Sequence, residues 1–391
     1  MADPLPPDVL DHLALALVPG LGPRLTAALL DRFGSAAAAR RVTAEQLRDI
    51  PHIGAKTADA LAPALRNVDL DAELRLLERH GVRPVPLGYK GYPPPLAGLT
   101  NPPPLLYFRG EWTAADSTAV GIVGSRSCTA YGRRLAEGIA RGLVRAGFTV
   151  VSGLARGIDG AAHRAALGAG GRTVAVLAGG LSEIYPPEHA DLANEVAGRG
   201  CLLTETPMTV APQPGMFPAR NRIISGLSRA VVVVEANARS GALITARHAL
   251  EQGREVFAVP GPVDSAASAG CLALIRTGAR LVRSADDILE DLKGIAAPDY
   301  SEPARRAPGV SPGSPVTPAE EAPAPAEEPP PPPPNLDPAC QQVWDALASR
   351  RHADELAREL ELPVAKLATV LMGLEVRKLV RRLPGNFFER R

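Results

Sequence analysis

Aromatic residues make up only 4% of the 391-residue chain, and its four cysteines include no Cys-x-x-Cys pair. The scattered thiols, Cys128, Cys201, Cys271 and Cys340, argue against a disulfide framework or a thiolate zinc site and fit a reducing compartment. Long apolar runs are missing too. The stretch around Ala230–Val234 is far shorter than the roughly 20 residues needed to cross a bilayer. Between Met1 and His12 there are three aspartates and no Lys or Arg, the opposite of a secretory leader. A soluble, cytoplasmic protein is expected. A dominant charge is also lacking: 43 Lys and Arg against 42 Asp and Glu leave +1, so any basic surface has to be local.

Proline, by contrast, is abundant, with 40 copies, and many of them fall between residues 298 and 336, ending in Pro329–Pro334. This Pro/Ala/Glu segment has no apolar surface to offset the entropy of folding and reads as a disordered, extended linker. It divides the chain. Residues 1–70 read as a helical domain, 71–297 as an α/β domain and 337–391 as a small terminal domain.

In the α/β part, short apolar runs at Ala119–Gly124, Thr149–Ser152, Thr173–Leu177, Cys201–Thr204, Ala230–Glu235 and Glu255–Val259 alternate with helical patterns such as Tyr131–Ala146 and Ala242–Gln252. Strands apolar on both faces predict a mainly parallel, doubly wound sheet covered by helices, whose ligands gather at the carboxyl ends of the strands. The helical domain carries Val18-Pro19-Gly20-Leu21-Gly22 and Ile50-Pro51-His52-Ile53-Gly54, each before a helical pattern. Such turns resemble helix-hairpin-helix motifs, which present amides to a phosphate or serve only as packing turns. The terminal domain reads as helix at Asp354–Leu360, helix at Pro363–Leu379, then a basic hairpin turning at Pro384-Gly385-Asn386. That pattern is a winged helix for DNA or for protein contact.

Four stretches carry the chemistry. Gly124-Ser125-Arg126 ends the first run ahead of a helix, where a small residue, a hydroxyl and a guanidinium suit a phosphate. Ser152-Gly153-Leu154-Ala155-Arg156-Gly157-Ile158-Asp159 leaves the next run in the same way, so neighbouring strands would set the two loops side by side. Phe217-Pro218-Ala219-Arg220-Asn221-Arg222 puts cations and an amide next to a ring, the pairing that suits a single strand of any sequence. Of Arg220 and Arg222, one is expected to brace the loops and one to reach phosphate, and Phe217 reads either as core or as a stacking ring. Ser240-Gly241 opens a further helix with small donors. His163, four residues after Asp159, is read as a structural Asp–His contact, with no third ligand for a metal.

Together with Ala258-Val259-Pro260-Gly261, these stretches resemble the DNA-processing protein A (DprA, or Smf) family over nearly the whole chain. The resemblance implies an extended Rossmann-like domain between a helix-hairpin-helix domain and a winged helix. It further implies single-stranded DNA binding with Arg126 as the DNA-binding arginine, homodimerisation, and loading of the RecA recombinase during natural transformation, without a cofactor. This chain departs from some members at Pro187 and Pro214, where they carry lysines. The rival reading is a nucleotide-metabolising enzyme related to phosphoribohydrolases. Its Pro-Gly-Gly-x-Gly-Thr-x-x-Glu motif is absent, as are Gly-x-Gly-x-x-Gly at the first strand and a Walker lysine.

Overall fold

The structure, a computed structural model, describes residues 5–51, 53–293, 337–347, 351–352, 356, 359–360, 362, 364–377, 379–383 and 387–390. Residues 1–311 group as one compact unit and 312–391 as a second.

Six helices open the first unit: α1 (Pro7–Leu17), α2 (Pro23–Phe33), α3 (Ala36–Ala39), α4 (Ala44–Arg48), α5 (Ala55–Arg66) and α6 (Asp71–His80). Proline begins α1 and α2, where the missing N–H is no loss, and Thr43 with Gln46 forms a reciprocal capping box on α4. Leu15, Leu29, Leu47, Leu61 and Leu65 close a core of their own. Leu13, on the other side of α1, joins Leu77, Tyr107 and Leu202 in a core shared with the sheet. The helical part is therefore docked on the α/β part.

The sheet has nine strands: β1 (Val82–Pro86), β2 (Leu105–Gly110), β3 (Ala119–Val123), β4 (Thr149–Ser152), β5 (Thr173–Val176), β6 (Cys201–Thr204), β7 (Ala230–Val233), β8 (Glu255–Ala258) and β9 (Arg280–Leu281). Their order is β1-β2-β6-β5-β4-β3-β7-β8-β9, with β3 to β9 parallel and the β1–β2 pair antiparallel at one edge. The helices that follow are α7 (Pro94–Ala97), α8 (Ala130–Arg145), α9 (Ile158–Gly168), α10 (Ala190–Arg199), α11 (Met216–Leu227), α12 (Ala242–Glu251), α13 (Ala269–Arg276) and α14 (Ala285–Lys293). Helices α8, α9 and α14 cover one face through Ile139, Leu143, Ile158 and Ile288, while α11, α12 and α13 cover the other through Ile224, Leu227, Ala246 and Cys271.

Each expected run is a strand whose end is trimmed by at most two residues, because Gly124, Leu177 and Glu235 already belong to the departing loops. From β3 the chain steps through β4 and β5 to β6, then crosses back to β7 on the other side of β3. That reversal leaves a crevice above the carboxyl ends of β3 and β7, the usual ligand position in such sheets.

In the second unit, α15 (Pro338–Ala346) and α16 (Val364–Val376) pack with a three-stranded sheet of β10 (Arg351–His352), β11 (Val380–Leu383) and β12 (Phe387–Arg390), ordered β10-β12-β11. Val343, Trp344, Leu367 and Leu374 form its core. The expected second helix is present but ends at Val376. The expected linker at 298–336, the hairpin tip at 384–386 and most of the helix expected at 354–360 lie outside the described residues. Among the described residues no helix is long and apolar enough to cross a membrane.

Candidate nucleic-acid interface

Because β3 and β4 are parallel neighbours, the loops leaving them meet: the Ile158 amide donates to the Ser125 carbonyl at 3.1 Å. Gly157 makes that approach possible. Its φ is +71°, and a Cβ there would lie 2.2 Å from the Ser125 oxygen. Gly157→Ala is accordingly expected to lower stability by more than about 1 kcal/mol, since strain and overlap add. Equilibrium urea unfolding measures it, and an unchanged midpoint would show the contact to be soft. Gly124 has a packing reason as well, with Ile158 2.6 Å from where its Cβ would stand.

The helix N-termini depart from expectation. The start of α8 is occupied by the fold's own Glu235, whose buried carboxylate accepts the Thr129 amide at 3.1 Å and the Thr129 hydroxyl at 2.6 Å. At α9, Asp159 accepts the amides of Gly153 at 3.1 Å and Ala155 at 3.4 Å. Internal carboxylates thus satisfy donors that the sequence reading offered to a phosphate. The expected Asp159–His163 contact gives way for the same reason. Asp159 is turned to the amides, and the buried His163 places Nδ1 2.7 Å from the Thr173 hydroxyl.

Of the four arginines expected at the site, Arg126 stands apart. It is exposed and makes no ion pair among the described residues. Its guanidinium lies over the Phe217 ring, 4.6 Å from the centroid. Phe217, half-buried in the first turn of α11, has Tyr185 beside it, with ring centroids 6.2 Å apart and the planes tilted by 60°. Tyr185 follows β5 and is 44% exposed. The result is a row of cation, ring and ring above β3, β4 and β5, at the mouth of a cleft lined by Gly153, Gly179, Pro212 and Arg220.

The remaining expected residues hold protein groups. Arg220 is buried and donates to the carbonyls of Gly153 at 2.7 Å and of Val176. Burial pushes its pKa down to about 10, with Arg126 adding and Asp159 opposing. Gly153 is glycine because that guanidinium stands 2.2 Å from the site of its Cβ. Arg222 pairs with Glu205 and donates to the Asn101 carbonyl at 2.8 Å, so the division expected between Arg220 and Arg222 is not what the geometry shows. Both brace. Asn221 donates to the Gly241 carbonyl at 3.2 Å, and the Ser240 hydroxyl accepts the Ala242 amide at 3.3 Å. The Ser125 hydroxyl accepts the Ser127 amide at 3.2 Å. Exposed Arg156 pairs with Glu188 and holds that carboxyl down at about 2. Sequence reasoning passed over Tyr185, whose only signal was an aromatic beside a proline in a loop leaving a strand.

Residues 85–293, more than half of the chain, match the family model described as DNA recombination-mediator protein A. The chain belongs to this family. A DprA winged helix domain matches residues 327–386 and a SAM-like helix-hairpin-helix tandem residues 13–67. The chain is 35% identical to Protein Smf of Synechocystis sp., across 97% of this chain and 98% of that one. It is 44% identical to the DNA processing protein DprA of Bacillus subtilis, across 59% of this chain and 77% of the relative. The X-ray structure of DprA from Streptococcus pneumoniae superposes with a TM-score of 0.64 at 34% identity, covering 72% of this chain and 97% of that one. Arg126, Tyr185 and Phe217 all lie within the DprA-matched segment.

Proposed function

We propose that this protein binds single-stranded DNA along the row formed by Arg126, Phe217 and Tyr185, and passes it to the RecA recombinase during DNA uptake. The observation that carries the reading is the exposed Arg126 guanidinium over an aromatic ring, with a second ring beside it. A guanidinium takes a phosphate of any nucleotide, and a ring face takes any base once it is unpaired, so the row suits single strands of any sequence. The family's description as a recombination mediator supports the handover to RecA. Ser125, Ser240 and Gly241 border the track, and the protein acts as a homodimer. Arg220, Arg222 and Asn221 hold the loops behind it. A salt-titrated competition between single-stranded and duplex oligonucleotides tests the reading: the single strand should win at every salt concentration, and equal or duplex-preferring binding would contradict it.

Neither His163 nor Asp159 is poised for proton transfer. Burial lowers the His163 pKa to about 3, and Asp159 is tied to two amides. Among the described residues no three His, Cys, Asp or Glu side chains gather to hold a metal. No turnover of nucleoside monophosphates, dinucleotides or ATP is expected. Chromatography of overnight incubations checks this, and protein-dependent release of free base or phosphate would favour the phosphoribohydrolase-like alternative.

A further inference from the structure

Glu73, on α6, is 3% exposed, and its Oε1 accepts the backbone amide of Met208 at 2.8 Å. Met208 is itself fully buried among Leu77, Leu177 and Leu181. A buried carboxylate is costly even with the Met208 amide and the Tyr107 hydroxyl beside it, and burial raises the Glu73 pKa accordingly. What it secures is the junction of two loops. The Met208 carbonyl accepts the Ser182 hydroxyl, the Gly180 amide donates to the Val210 carbonyl at 2.8 Å, and the Thr206 hydroxyl donates to the Ala178 carbonyl at 2.9 Å. The contact is too close for side chains, since a Cβ on Gly180 would lie 2.2 Å from the Met208 oxygen and one on Gly179 2.7 Å from Pro212. One of these loops runs on to Tyr185 and the other to Phe217.

We propose that Glu73 is a positioning residue for the nucleic-acid site, pinning Met208 and thereby holding the loops that set Tyr185 and Phe217 beside Arg126. Glu73 lies between the segments matched to the helix-hairpin-helix tandem and to the recombination mediator, so this control sits outside both. The proposal rests on the single-strand reading of that row.

The test compares Glu73→Ala, Glu73→Gln and Ser182→Ala in the full chain, using a fluorescent dT oligonucleotide. Glu73→Ala should bind about tenfold more weakly, with the salt slope unchanged because no phosphate contact is lost. Glu73→Gln keeps an oxygen for the Met208 amide and should bind like wild type, and hydrogen exchange at Met208 and Val210 should quicken in the alanine variant only. Adding Phe217→Ala to Glu73→Ala should weaken binding by less than the two single effects combined, because part of the Glu73 effect runs through that ring. Ser182→Ala removes the other tie on Met208 from a half-buried position, and it decides the matter if Glu73→Ala does not fold. If Phe217→Ala alone binds as tightly as wild type, the stacking reading fails, and the DNA role of Glu73 with it. If Phe217→Ala is weak while folded Glu73→Ala and Ser182→Ala are not, only the positioning role is overturned.

Discussion

Replacing Arg220 with alanine is expected to destabilise the protein by about 3–5 kcal/mol, the usual cost of leaving a buried charge without its counterpart. Arg220 and Asp159 grip the same turn from opposite sides: the guanidinium takes the Gly153 carbonyl and the carboxylate takes the Gly153 amide. Removing the arginine strands two carbonyls, those of Gly153 and Val176, and leaves Asp159 as an uncompensated buried anion. Denaturant unfolding monitored by circular dichroism measures the loss. Lysine should recover only part of it, since a single ammonium cannot reproduce the guanidinium fork. The pH dependence adds a signature. Burial already raises the Asp159 pKa above its ordinary 3.8, and losing Arg220 raises it further. A carboxyl that binds its proton more tightly when folded contributes stability that is full below pH 3.8 and is lost as pH climbs through the raised value. The alanine variant should therefore regain stability on acidification relative to wild type. A loss under about 1 kcal/mol, flat with pH, would mean that the pair does not carry the turn.

Arg126→Ala should weaken single-stranded DNA binding by about 1–3 kcal/mol while leaving unfolding within about 1 kcal/mol of wild type. The two arginines are contrasting cases. Arg220 is buried behind the row and supports the fold, whereas Arg126 is exposed in front of it and touches only the Phe217 ring among the interactions described. That ring contact is worth at most about 1 kcal/mol at an exposed site, so little stability is at stake. The guanidinium is free to meet a phosphate. Fluorescence anisotropy with a dT oligonucleotide gives the affinity, and a melt of the same sample shows whether the fold is intact. Tight binding by a folded Arg126→Ala protein would remove the arginine from the site.

The central sheet was legible in the sequence because its strands are buried on both faces and read as short apolar runs between helical patterns. Strands β1, β2 and β9 were not, each for its own reason. β1 is interrupted by Pro84 and ends at Pro86, β9 has only two residues, both exposed, and β2 is an apolar run that the expected strands do not include. Within the proposed site, the exposed loop position of Arg126 was legible from Gly124 and Ser125 before it. The roles of Glu235 and Asp159 were not. Both sit in helix-opening or strand-ending positions that look like surface turns, and only the fold shows that Glu235 takes the Thr129 amide at the start of α8 while Asp159 takes the Gly153 amide in the loop leaving β4. The expected division of Arg220 and Arg222 between bracing and phosphate does not hold, because each finds its partners on segments distant in sequence. One meets backbone carbonyls and the other meets Glu205, which lies on a separate loop and gives no local signal. Tyr185 and Glu73 depend on contacts between loops distant in sequence, which no local pattern encodes.

The most direct test of the proposed site is the salt dependence of dT oligonucleotide binding for wild type and Arg126→Ala, measured side by side across several salt concentrations. Each phosphate neutralised by a cation contributes about 0.7 to the slope of log affinity against log salt on a single strand, because its counterion is released. If Arg126 holds a phosphate, the variant's slope should be shallower by about that amount, alongside its weaker binding. A variant that binds more weakly with an unchanged slope would assign Arg126 to packing against Phe217, and one that matches wild type in both affinity and slope would contradict the single-strand site at the carboxyl ends of β3, β4 and β5.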